Sequence, residues 1–391
     1  MKLVMLLLWK KLLKRNATGH WRRFIGPLLG GLLFSSSAGA CQVCIPFPRE
    51  TLADRLLEAE TVVLGREDPE RPFHFVAMET LKGEPGAPTI DVFLNSQARR
   101  TLAANPEHAM MIALNRGSGE WKTLGIADAE VSKVIRRIIG HAGSWSPRET
   151  GNPQRLEEFA PLLGHDNRLL HELAYLEIGR ASYGAIRELS ARVPIDKVRT
   201  MLDDPAYLEW RSLAILMLAQ SGNPADKARI RKTFDIKQGS GSTLNLPAWA
   251  TAYIAVDGTN AVADIERLYL SRPGRSAEEL SAVLKALSTQ ANDDRGLRNR
   301  IASAYRMFLG VHPEHADELA RDLITWRRWD FVDQVGQAKA QIKDADPLGA
   351  YALDLYLRMA AAYQSETPGY PAEPRPPITS SGAGTQIRRS P

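Results

Sequence analysis

The chain has 391 residues, 44% of them hydrophobic and 24% charged, which excludes wholesale disorder and collagen-like or coiled-coil architectures and suits two domains or three. The formal charge is +5, but residues 1–40 hold seven Lys and Arg and no acid, so the remainder sums to −2. A slightly acidic body argues against a phosphate-binding surface, which depends on clustered cations, and no nucleic-acid partner is expected.

Residues 1–40 read as a signal peptide or membrane anchor. A cationic stretch ends at Arg22-Arg23, an apolar run extends from Phe24 to Phe34, and small residues lead to Ala38-Gly39-Ala40. Positive, apolar, then Ala-x-Ala is the secretory pattern. The apolar run falls short of the ~20 residues of a membrane span. The expectation is an extracytoplasmic protein, periplasmic or secreted. It would touch a membrane only through this leader or through lipid on Cys41.

The only cysteines, Cys41 and Cys44, follow that cleavage point as Cys-Gln-Val-Cys. An oxidising compartment favours a disulfide between them. So short a loop puts its stabilisation at the low end of the ~0–5 kcal/mol range. Three alternatives stay open. The spacing is that of thioredoxin-like redox motifs, although Pro46 and Pro48 follow and no βαβ pattern precedes. Lipidation of Cys41 is the second, with Ala38 where such signals usually carry Leu. A metal site is the third; Cys41 and Cys44 with a free amine still leave a tetrahedral ion short of a ligand. Ile45 after the second cysteine excludes c-type haem attachment. No cofactor is expected.

Residues 41–125 form a small β-barrel-like domain in this reading. Residues 49–59 predict a short helix, with Leu52 and Leu56 one turn apart. Strands are predicted at Thr61–Gly65, Phe73–Lys82, Thr89–Leu94, His108–Leu114 and Trp121–Leu124. Five strands at this spacing suggest an OB-like barrel. The cysteine-bearing start, the helix, Val62-Val63-Leu64-Gly65, Leu81-Lys82-Gly83 and the alternating strand after them resemble netrin-type domains, related to the tissue inhibitors of metalloproteases. In those inhibitors the N-terminal cysteine chelates the protease zinc through its amine and carbonyl, a position that Cys41 would match if cleavage follows Ala40. The family's N-terminal cysteines bridge to later ones, and residues 45–391 contain none.

Residues 126–363 predict an α-helical repeat domain. Val131, Val134, Ile135, Ile138 and Ile139 make one apolar stripe; Leu169, Leu170, Leu173, Leu176 and Ile178 make another. Leu213 to Leu218 is apolar on all sides, as for a central buried helix. Asn152-Pro153, Asp204-Pro205, Asn223-Pro224 and Asp346-Pro347 each signal a helix start, and Ser276-x-x-Glu279 a capping box. Apolar helices ending at Gly179, Gly222 and Gly258, 43 and 36 residues apart, resemble HEAT or armadillo repeats. That resemblance implies glycines at inter-helix turns and a protein-binding surface. Residues 364–391, with six prolines and three glycines from 365 on, predict a disordered tail.

Candidate chemistry in the helical part is sparse. His312, Glu314, His315, Asp317 and Glu318 form the densest group of potential ligands, but not with His-Glu-x-x-His spacing. His165-Asp166 and His171-Glu172 predict caps and surface pairs. Lys227, Arg229, Arg231 and Lys232 predict a solvated face. Trp326-Arg327-Arg328-Trp329 is the candidate partner-binding segment, through aromatic and guanidinium groups. The fold class expected is α+β, an OB-like five-stranded barrel followed by a HEAT-like solenoid. The function expected is an exported protein-binding or scaffold module without catalytic residues. The alternative is a thiol-redox or metal-handling protein centred on Cys41 and Cys44.

Overall fold

A computed structural model describes Val43 and residues 50–86, 90–115, 117–342 and 346–366. The leader, Cys41, Cys44 and residues 367–391 lie outside the described residues. The chain divides into two compact units, residues 1–197 and 198–391.

The first unit opens with α1 (Leu52–Glu58), capped by Thr51 and Asp54 in a reciprocal capping box. Five strands follow: β1 (Thr61–Asp68), β2 (Arg71–Lys82), β3 (Ile90–Asp91), β4 (Ala109–Leu114) and β5 (Trp121–Ala127), with helix α2 (Ser96–Ala104) between β3 and β4. All pairings are antiparallel, in the order β3-β2-β1-β4-β5. Register shifts interrupt the β1–β2 and β4–β5 ladders. Such bulges bend a strand and increase its twist, and the sheet curls into a half-barrel. It stays open rather than closing, with β3, two residues long, and β5 as its edges. Alternation along the strands sends Val63, Phe75, Ile90, Met110 and Ile112 into one core, which Ala98 and Leu102 of α2 help to cover. The interleaved Val62, Leu64 and Met111 are buried too. Helix α3 (Ala129–Gly140) lies against β2, β5 and α1, with Val131, Val134, Ile135 and Ile138 buried. The unit continues with α4 (Pro153–Phe159), α5 (Arg168–Gly179) and α6 (Tyr183–Ser190), and α7 (Ile195–Asp203) carries the chain across the division.

The second unit is helical. Its elements are α8 (Arg211–Leu218), α9 (Pro224–Ser240), α10 (Leu246–Asp257), α11 (Thr259–Ile265, extended by a π turn at Glu266–Leu270), α12 (Ala277–Asp293), α13 (Arg295–Val311), α14 (Asp317–Thr325), α15 (Val332–Ile342) and α16 (Pro347–Glu366). Their starts are where capping chemistry puts them. Asn223 caps α9 ahead of Pro224, Ser276 and Glu279 form the capping box of α12, and Asp346 accepts from the Leu348 amide at the head of α16. The even-numbered helices pack in sequence, α8 on α10, α10 on α12, α12 on α14 and α14 on α16. Helices α11, α13 and α15 form a second row, and α9 joins it through Phe234, whose ring lies 6.1 Å from that of Tyr269.

Side-chain links join these helices: Ser288 donates to Asp322 Oδ1, Trp326 Nε1 to Asn292 Oδ1, Arg300 to Glu266 and Gln290 to the Thr251 carbonyl, across 34 to 39 residues of sequence. Gly222 and Gly258 sit at inter-helix turns with positive φ (69° and 58°), a conformation that disfavours a Cβ. Gly179 does not match that expectation. It is the buried last residue of α5, without positive φ, and the chain turns at Arg180–Ser182 instead.

Candidate protein-binding surface

Within a row of packed helices, each interior member has a neighbour on both sides. Helix α16 is the last described member, and it packs chiefly on α14 and α15. Leu353, Tyr356 and Ala360 are buried there. On another face, Leu348, Tyr351 and Met359 follow at helical spacing and are 83%, 53% and 39% exposed. Arg358 borders this stripe, its guanidinium 5.8 Å from the centre of the Tyr351 ring. A contiguous exposed apolar stripe is the surface feature that most often marks a contact site on a folded protein.

The Trp326–Trp329 segment lies beside this helix, and its members separate into different roles. Trp326 is buried, stacks on Tyr305 at 5.5 Å and donates to Asn292. Arg328 donates to both oxygens of Asp330 and to Asn299, while its carbonyl accepts from Tyr356. Trp329 packs on Tyr356 and Tyr363 of α16. Arg327 is the exposed member, and it holds a left-handed conformation with φ 55°. The segment thus ties the α14–α15 turn to α16 and leaves one guanidinium outward.

The other sequence candidates are placed as follows. His312 is buried with Nδ1 3.6 Å from Glu314, and among the described residues no group of three or more His, Cys, Asp or Glu could hold a metal ion. His171, expected at the surface, is buried, and its Nδ1 accepts from the Gly164 amide. Burial, and then nearby His165, push its pKa down to about 4. Arg229 pairs with Asp203 and Arg231 with Asp257, so that cationic face is partly neutralised by neighbouring helices. No helix among the described residues is long and apolar enough to cross a membrane.

Sequence reasoning missed a buried ionic cluster in the first unit. Asp54 on α1 accepts from Arg155 of α4 at 2.9 Å and from Arg180 at 2.6 Å. Glu177 of α5 accepts from the same two arginines at 2.9 and 2.8 Å, and from the Thr51 hydroxyl. All five side chains are almost wholly buried. Burial alone would raise the Asp54 pKa, but the Arg180 hydrogen bonds and the Arg148 and Thr51 amides bring it down to about 2. With each charge matched and solvent excluded, the cluster clamps α1 to the helices after the sheet. The detectable signal was local: Thr51-x-x-Asp54 is a capping-box pattern. Its partners lie 101 to 126 residues downstream, beyond any periodicity.

Buried Asp322 plays a comparable part in the second unit, accepting from Ser288 and from Tyr305. Burial raises its pKa. Comparison with protein-family models, with curated proteins and with solved structures found no match for this chain.

Proposed function

We propose that the protein is a protein-binding scaffold, that it works outside the cytoplasm, and that its second unit is a HEAT-like solenoid whose terminal helix α16 receives the partner. The single observation behind the binding role is the exposed stripe Leu348–Tyr351–Met359 on the last described helix of a row whose interior members are covered on both sides. Helical arrays add stability by stacking each unit on the next, and natural ones end in a polar cap. Here the terminal face is apolar, so the fitting partner is a protein that presents an apolar helix or strand and continues the stack. The packing of α8, α10, α12, α14 and α16 in sequence, with α11, α13 and α15 as a second row, supports the solenoid reading. The placement of β4 beside β1, with α2 between β3 and β4, supports an OB-like origin for the sheet. Extracytoplasmic location rests on the cationic, apolar and Ala-x-Ala sections of residues 1–40.

The test compares the full chain with the double variant Leu348→Asp/Tyr351→Asp and with Lys285→Glu, a surface control on α12. Quantitative co-purification from the envelope fraction is expected to recover a protein with wild type and Lys285→Glu but not with the double variant. Equal recovery by all three overturns the reading. Light scattering that finds a dimer of wild type, lost in the double variant, overturns the scaffold role and makes α16 a self-association face.

A further inference from the structure

The chain continues past the end of α16 at Glu366. Thr367-Pro368-Gly369 comes first, then Tyr370-Pro371-Ala372-Glu373-Pro374-Arg375-Pro376-Pro377-Ile378. Pro-Gly is a turn-forming pair. Four prolines in the nine residues after it favour the extended polyproline helix, and segments of that kind dock on surfaces that carry aromatic rings. Helix α16 presents such a surface. Half-buried Leu355 fills the gap in its exposed stripe, which therefore runs from Leu348 through Tyr351 to Met359 without a break.

The lengths agree. From Glu366 back to Leu348 is 18 residues of helix, about 27 Å. A turn at Pro368-Gly369 sends Tyr370–Ile378 back along that path, and nine residues of polyproline helix cover about 28 Å. The charges agree as well. Glu373 and Arg375 stand about 6 Å apart along such a segment, and Arg358 and Asp354 stand about 6 Å apart along the helix. Counted from the turn, the tail presents acid then base, and the helix base then acid. Glu373 comes level with Met359 and Arg358, about 10 Å from the turn. Asp354 pairs with both Lys339 and Arg358, so two cations there share one carboxylate. Glu373 is the only acid among residues 367–391.

We propose that Tyr370–Ile378 folds back over the exposed stripe of α16 and covers it, with Glu373 beside Arg358, Pro376 and Pro377 against Tyr351, and Ile378 against Leu348. The last described helix of the row then carries a cap from its own chain, which the terminal face of a helical array needs. A tethered segment faces an effective concentration on the order of 1 mM, so an affinity of about 0.1 mM holds it in place on most molecules. Its regulatory meaning rests on the partner reading of α16: a partner reaches that helix by displacing the tail.

The test is oxidation of methionine in the full chain by dilute hydrogen peroxide, read by peptide mass. Met359 lies on the stripe, and Met307 of α13, 43% exposed against 39% for Met359, is the internal reference. Relative to Met307, Met359 is expected to react about tenfold faster in Tyr370→Ser/Ile378→Ser than in wild type, the ratio of local concentration to affinity. Glu373→Arg is expected to give a rise of about threefold, the scale of one exposed ion pair, and Arg358→Glu in the same chain to reverse it. Met359 reactivity unchanged in Tyr370→Ser/Ile378→Ser overturns the proposal, and so does a Glu373→Arg chain that shows no rise or a rise that Arg358→Glu fails to reverse. Protection of wild type that fades on dilution also overturns it, because the cover then comes from a second copy. The readout uses the purified chain alone, so failure to recover a partner leaves it untouched, and its own failure leaves the partner reading standing.

Discussion

Arg155 and Asp54, 101 residues apart in the chain, are joined by a 2.9 Å ion pair with both side chains buried. Removing one member of such a pair leaves a charge stranded in the interior, a loss of about 3–5 kcal/mol. Asp54→Asn and Arg155→Met are each expected to lower the urea midpoint of unfolding accordingly. The Asp54 carboxyl, held at about 2 in the fold, titrates near 3.9 when unfolded. Its contribution is therefore complete above about pH 4 and lost as pH falls toward 2. Asp54→Asn should flatten the acid limb of the stability profile in that window and nowhere else.

His171 sets a different window. Its pKa is pushed down to about 4, whereas an unfolded histidine titrates near 6.5. Between those values the unfolded chain binds a proton that the folded chain does not. Stability should fall as pH drops through that range, by an amount on the order of 3 kcal/mol. His171→Gln, whose amide oxygen can accept from the Gly164 amide, is expected to remove this slope. Denaturant titrations between about pH 7 and pH 4 check it.

Two substitutions near the α8–α9 turn separate packing from backbone strain. Leu216 is completely buried, and Leu216→Ala should cost about 2–5 kcal/mol through the cavity it leaves. Gly222 has φ 69° and open space where a Cβ would go, so Gly222→Val should cost only the left-handed penalty of about 1–2 kcal/mol. Thermal unfolding of the full chain ranks the two; the reverse order would contradict the packing described.

Arg327 holds the same left-handed conformation without being glycine. Arg327→Gly should relieve the strain, offset in part by the greater freedom of glycine in the unfolded chain. A net gain of about 0.5–1 kcal/mol is expected. The measurement is the shift in melting temperature, which should be upward.

The strands were legible as runs of β-branched and apolar residues, and Val63, Phe75, Ile90 and Ile112 from those runs lie in the core; the strand expected at Thr89–Leu94 is described only at Ile90–Asp91. Helix starts were legible where a capping side chain precedes proline, as at Asn152 and Asn223. Helix α2 was not, because Ser96–Ala104 buries no residue fully and so has little apolar period to read. Closure of the barrel was not legible either, since strand count says nothing about whether the edges meet. At Trp326–Trp329 the residue types suggested a surface, while the structure spends most of the segment on internal contacts and turns attention to α16, whose exposed leucine and tyrosine look like core residues in sequence.

The clamp on α1 has a consequence for the order in which the chain matures. A chain that emerges from its N-terminus first presents Asp54 and the whole sheet well before Arg155, Glu177 and Arg180 arrive. Until then the carboxylate has no cation to meet it, and burying it would be costly. Helix α1 finds its charged partners only once those helices are present. The clamp that fixes α1 is therefore closed by the last of its members in sequence, Arg180, and not by anything within the sheet itself.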